Sequence, residues 1–110
     1  MRTAYIAGPY RPRGIWKRVP VVKWLIIAWN IHRARKVALR WWRAGYAVIV
    51  PHGNTAFFDG RCPDSVWLSG DLEIMRRCDV VVMMPDWERS EGAVAEHVVA
   101  VEYGLEIVYA

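Results

Sequence analysis

The chain has 110 residues, 55% of them hydrophobic and 24% charged, with a formal net charge of +4. That length suits one domain, residues 1–110, large enough to bury a core. Two cysteines, Cys62 and Cys78, exclude a disulfide framework and fit no zinc pattern, so reduced thiols in a cytoplasmic protein are expected. The basic balance suits an anionic partner such as a phosphate or nucleotide, or else only a solvated basic helix face.

Taken in order, Met1 and Arg2 lead straight into an apolar run, so no signal peptide is expected. Thr3 to Ala7 reads as a buried strand ended by Gly8-Pro9. Tyr10 to Pro20, with Pro12 and Gly14 among basic residues, reads as a loop. A long helix is predicted from about Val22 to Ala44, with Ile27, Ile31, Ala34, Ala38 and Trp41 as its apolar stripe. His32, Arg33, Lys36, Arg40 and Arg43 fall mostly away from that stripe, and Gly45 stops the helix. The apolar stretch Val19 to Trp29, broken by Lys23, is too short to span a bilayer, so no membrane partner is expected.

Tyr46 to Val50 is the second predicted strand, and His52 to Pro63 reads as a loop. A second helix is predicted over Asp64 to Arg77 and a third strand over Asp79 to Met84, with Asp79 capping the turn before it. Pro85 to Ser90 reads as a loop. Ser90 is placed to cap a third helix, Glu91 to Tyr103, which Gly104 ends. Leu105 to Tyr109 is the last strand.

Continuous apolar strands alternating with helices predict an α/β, doubly wound Rossmann- or flavodoxin-like fold. Its sheet is mostly parallel, with four to five strands and helices on both faces. Ligands in such folds sit beyond the carboxyl ends of the strands. That rule gathers Gly8 to Arg11, Pro51 to Asn54 and Pro85 to Gly92 at one place. Asn30 and His52 fall near the same end as candidate sugar or base contacts.

Three segments, in this order and spacing, carry a resemblance. They are Tyr5-Ile6-Ala7-Gly8-Pro9-Tyr10, then Gly70-Asp71-Leu72, then Cys78-Asp79-Val80-Val81-Val82 followed by Pro85-Asp86-Trp87, Ser90, Gly92-Ala93 and Glu96. The pattern resembles the nucleoside 2-deoxyribosyltransferase-like superfamily, especially a branch of small bacterial and phage proteins. The resemblance implies cleavage or exchange of an N-glycosidic bond in a nucleoside or nucleotide. It implies Glu96 as nucleophile, Asp71 as the residue handling the base or leaving group, and Tyr5 as the group orienting the catalytic carboxylate.

Transferases of the superfamily carry an aspartate six residues before the nucleophile, where this chain has Ser90. Nucleoside 5′-monophosphate N-glycosidases have serine there, against the phosphate, and an arginine in the first loop that Arg11 matches. The resemblance therefore implies a monophosphate hydrolase. Relatives form dimers or larger oligomers and complete the pocket with residues beyond the last strand, so a homodimer or higher homo-oligomer is expected. The seven tryptophans fit a surface buried against another subunit, and Val19 to Trp29 would be such an interface or a lid.

The chemistry suits these residue types. An oxocarbenium-like state at C1′ calls for a carboxylate beneath it and a second acid to protonate the leaving base. Gly8, Ser90 and Gly92 would let a phosphate approach backbone amides, while Pro9, Tyr10, Arg11, Asp86 and Trp87 complete a substrate-binding set. Each has a plainer reading: Glu96 as a first-turn carboxylate, Ser90 as a cap only, Arg11 as solvated, Trp87 as core packing. His97 reads as structural. No cofactor or metal is expected, because the acids and histidines lack ligand spacing. Three alternatives stay open: a 2′-deoxyribosyltransferase, a non-catalytic nucleotide-sensing module, and a nucleic-acid binder, the last against the absence of any recognised motif.

Overall fold

The computed structural model describes residues 1–11, 18–56, 58 and 60–110. Pro12 and Gly14 of the expected basic loop lie outside these residues. Strand β1 spans Thr3–Ala7 and helix α1 Pro20–Arg43. Strand β2 is Ala47–Ile49, α2 is Pro51–Asn54, and α3 is Asp64–Arg76. Strand β3, Val80–Met83, leads through a 3-10 turn at Trp87–Arg89 into α4, Glu91–Glu102. Strand β4 is Glu106–Tyr109.

The four strands are all parallel and lie in the order β2-β1-β3-β4. Ala4 pairs with Val48 on one side and Val80 on the other. The chain steps outward from β1 to β2 and returns past β1 to β3. The loops after β1 and β3 therefore diverge at the reversal point of a doubly wound sheet, where such folds bind ligands. This is the predicted Rossmann/flavodoxin-like architecture.

Strand alternation divides the core. Ala4, Ile6, Val80, Val82 and Met84 face Ala34, Val37 and Ala38 of α1. Tyr5, Ala7, Val81 and Met83 face the other way, against Met75 of α3, Cys78 just after it, and Ala93 and Ala100 of α4. The period of two thus decides the site: it sends Tyr5 to the side where α3 and α4 pack.

Several expectations need correction. His52 to Pro63 is not all loop, because α2 opens it. Val50 is extended and Pro51 takes the first helical turn, where its missing N–H costs nothing. The stretch after Pro85 holds the 3-10 turn, entered through Asp86 at φ 67. Asp79 does not cap a local turn. Its carboxylate accepts from the Thr3 amide at 2.7 Å and the Thr3 hydroxyl at 3.1 Å, which ties the start of β3 to that of β1.

Gly45 closes α1 with φ 94, as a glycine after a helix does. Gly8 is required for another reason. A Cβ there would lie 2.7 Å from both Cβ and Sδ of buried Met84. Gly8→Ala is accordingly expected to cost about 1–3 kcal/mol, the usual penalty of overpacking, read as a lower Tm in thermal unfolding. Among the described residues no helix is long and apolar enough to cross a membrane.

Candidate active site

A cleft of about 960 Å³ opens at the carboxyl end of the sheet. It is lined by Gly8, Pro9, Tyr10 and Arg11 from the segment after β1, by Asn30 and Arg33 from α1, and by His52 from α2. Asp71 of α3, Asp86 and Arg89 of the turn region, and Ser90, Gly92 and Glu96 around α4 complete it. The fold therefore brings together Glu96, Asp71 and most of the expected substrate-binding set.

Glu96 lies one turn inside α4 on the face toward the sheet and is only 7% exposed. A buried carboxylate needs a donor, and Tyr5 supplies it: the phenol O–H donates to Glu96 Oε2. Tyr5 lies wholly inside the core, so it meets the cleft only through Glu96. Burial, followed by the charges of Glu96 and Asp71, pushes the Tyr5 hydroxyl well above the usual phenol range. It remains a donor at any working pH.

Burial also pushes Glu96 up to about 8, opposed by the Tyr5 hydrogen bond and assisted by repulsion from Asp71. Burial raises Asp71 to about 6. Two carboxyl groups in one water-poor site thus share close to one proton near neutrality. That is the state in which one can act as nucleophile or base and the other as acid.

Ser90 is the N-cap of α4, its Oγ accepting from the Ala93 amide at 3.2 Å. Both Ser90 and Gly92 line the cleft, so capping and ligand contact draw on the same turn. A Cβ on Gly92 would come no nearer than 4.0 Å to Ser90 Oγ, so packing does not require a glycine there. Arg11 reaches into the cleft mouth and holds Asp64 at 2.7 Å. That contact, chiefly its hydrogen bond, depresses the Asp64 carboxyl.

Three of the expected contacts have protein partners of their own. Asn30 is buried, and its Nδ2 donates to the Tyr10 carbonyl at 3.0 Å. His52 is buried beneath the same loop. Its Nε2–H donates to the carbonyls of Gly8 and Pro9 at 2.9 and 2.8 Å, and burial keeps the ring neutral. Both side chains line the cleft and also fasten the first loop from below. Nδ1 of His52 is buried without a hydrogen-bond partner among the described residues. Trp87 does not line the cleft. It stacks on His97 at 4.3 Å between ring centroids, and His97 hydrogen-bonds with the Tyr109 hydroxyl at 2.7 Å. Trp87 and His97 therefore brace the outer side of the 3-10 turn, in line with a structural His97.

Arg33 and Arg89 were absent from the expected set. Arg33 reaches Asn30 Oδ1 and the Pro85 carbonyl at 3.4 Å each and stands 4.0 Å from Asp86. It thereby joins α1 to the loop after β3. Asp64, Trp67 and Leu68 also line the cleft, and they precede Asp71 at helical spacing on α3. That spacing was readable in the sequence once Asp71 was chosen. Among the described residues no three His, Cys, Asp or Glu side chains gather as metal ligands.

No curated protein matches the chain. A family model described as Domain of unknown function (DUF4406) matches residues 30–109, which takes in Asp71, Ser90, Gly92 and Glu96 but not Tyr5 or the first loop. That match covers more than half of the sequence, and the chain belongs to this family.

Proposed function

We propose that this chain is an N-glycosidase that cleaves the base–sugar bond of a nucleoside 5′-monophosphate through Glu96. The observation that carries the reading is the pair Glu96 and Asp71 in one cleft, with Tyr5 bonded to Glu96 from the core. The resemblance to nucleoside 2-deoxyribosyltransferase-like proteins supports the same roles.

In the first step a Glu96 oxygen bonds to C1′ as the bond from C1′ to the base nitrogen breaks, and Asp71 gives its proton to the departing base. The Tyr5 hydroxyl favours the ionised form of Glu96 before attack and fixes the carboxylate's rotation. In the second step water attacks C1′, passes a proton to Asp71, and frees Glu96 and the sugar phosphate. The 5′-phosphate would meet Ser90 and the outward amides of α4, with Arg11 and Arg89 on the cleft wall.

The test is chromatography of free base after incubation with nucleosides and their 5′-monophosphates, ribo and deoxy. Base from monophosphates alone is the expected result. New nucleoside on adding an acceptor base would favour the transferase instead. Ser90→Asp keeps a capping side chain but sets a negative charge where the phosphate would sit. It is expected to raise KM for monophosphates at least about tenfold with kcat little changed, the signature of lost ground-state binding.

A second reading has one observation in its favour. Glu96, raised to about 8, is largely protonated near neutrality, which fits a module that binds nucleotides without turning them over. Tight binding with no base released over days would select it.

A further inference from the structure

Helix α1 carries a surface that the cleft does not use. None of its 24 residues is Asp or Glu, whereas Lys23, Arg33, Arg35, Lys36, Arg40 and Arg43 are cationic. Ile27, Ala34, Val37 and Ala38 bury one face against the sheet region. On the opposite face Val21, Leu25 and Trp29 follow at intervals of four and are 71%, 64% and 59% exposed. His32, Lys36, Arg40 and Arg43 continue the same stripe, all exposed. The stripe runs the length of a helix about 36 Å long.

We propose that this stripe docks the protein on an anionic membrane surface, with α1 lying flat. The partner must supply apolar material for the first half of the helix and negative charge for the second, in one plane. A leaflet does both: side chains such as Leu25 and Trp29 enter the headgroup–acyl boundary, and Lys36, Arg40 and Arg43 meet lipid phosphates. A single-stranded nucleic acid would use the cations and indoles but has no place for Val21 and Leu25. A second copy would bring the same cations and no acid from this helix. The expectation of no membrane partner rested on the length needed for a span, which does not bear on a helix lying in the interface. Arg33, half-buried on the flank of α1 between this stripe and the buried face, also lines the cleft. The inference stands apart from the proposed reaction.

The test is co-sedimentation of the full chain with two vesicle preparations. One is phosphatidylcholine alone, and the other has about a third of its lipid replaced by phosphatidylserine. Pelleting with the anionic vesicles only, weakened by added salt, is expected. Arg40→Gln with Arg43→Gln should lower the partition coefficient about 30-fold, from the loss of two surface charges. Leu25→Glu with Trp29→Glu should abolish it, and the far-ultraviolet circular dichroism of both pairs should match the parent because all four residues are exposed. No pelleting, or equal pelleting with phosphatidylcholine alone, overturns the proposal. So does an oligonucleotide complex lost in the arginine variant without vesicle binding. A dimer mass that halves in the Leu25/Trp29 variant, again without vesicle binding, assigns the face to a second copy and overturns it too.

Discussion

Glu96→Gln is expected to reduce base release by at least about a thousandfold while raising Tm at pH 8. The two effects have one cause. In the folded protein burial lifts the Glu96 carboxyl to about 8, against an ordinary 4.5. A carboxyl with a raised folded pKa holds its proton longer in the native state than in the unfolded one. Between about 4.5 and 8 the native state therefore binds more protons, and stability falls as pH rises through that window. Glutamine has the same shape, can still accept from Tyr5, and never ionises, so it escapes this loss. The difference is a few kcal/mol at pH 8, or about 10 °C in Tm, and should vanish near pH 4. His52 titrates in the opposite sense. Its folded pKa is lowered by burial, so stability falls as pH drops below about 6.5. It is the same in both proteins and cancels. Thermal unfolding of parent and variant at pH 4, 6 and 8 decides the matter. An equal Tm at all three would mean that Glu96 is not held in the water-poor setting the mechanism requires, and an active glutamine variant would remove it as nucleophile.

The architecture was readable because its signals are local. The run Thr3 to Ala7 is β1 to the residue, since an apolar segment ended by Gly8-Pro9 can do little else. Gly45 and Gly104 mark where α1 and α4 stop, because each stands at positive φ. Tyr5, Asp71 and Glu96 were singled out by the resemblance that the motif pattern carries and not by their spacing; the fold sets Asp71 and Glu96 in one cleft and bonds Tyr5 to Glu96. What escaped was set by contacts distant in sequence. Asn30 and His52 each turn toward carbonyls of the first loop, 20 and 44 residues away from Tyr10 and Gly8, and nothing in their neighbours announces it. Trp87 follows a strand that ends at the cleft, yet the left-handed Asp86 redirects the chain and places the indole on His97. Arg33 was read only as a cation off the apolar stripe, whereas its reach to Pro85 and Asp86 depends on how α1 lies over the sheet. Helix α2 was lost in a polar stretch because four residues are too few for periodicity to register.

The rate of base release is expected to follow a bell-shaped pH profile, with limbs near 6 and 8 belonging to the Asp71–Glu96 pair. Below the lower limb both carboxyls hold protons and no nucleophile is available. Above the upper limb both are ionised and the departing base receives no proton. The productive form has its one proton on Asp71 with Glu96 ionised under the Tyr5 hydroxyl, the minor arrangement of a singly protonated pair in which Glu96 has the higher pKa. Asp71→Asn separates the two limbs. It removes the acid, so the alkaline limb should flatten and the maximal rate fall by about 100- to 10,000-fold, most for the poorest leaving bases. The limb that remains is then the ionisation of Glu96, which should stand above the parent's acid limb and below about 8, because a repelling charge is gone. A rate loss with both limbs in place would make Asp71 a binding residue only. Tyr5→Phe is the companion measurement. Without the phenol donor the ionised form of Glu96 is less favoured, and the limb near 8 should move to higher pH. A lone limb in Asp71→Asn that moves to higher pH when Tyr5→Phe is added would identify that limb as the ionisation of Glu96, because Glu96 is the group bonded to the phenol.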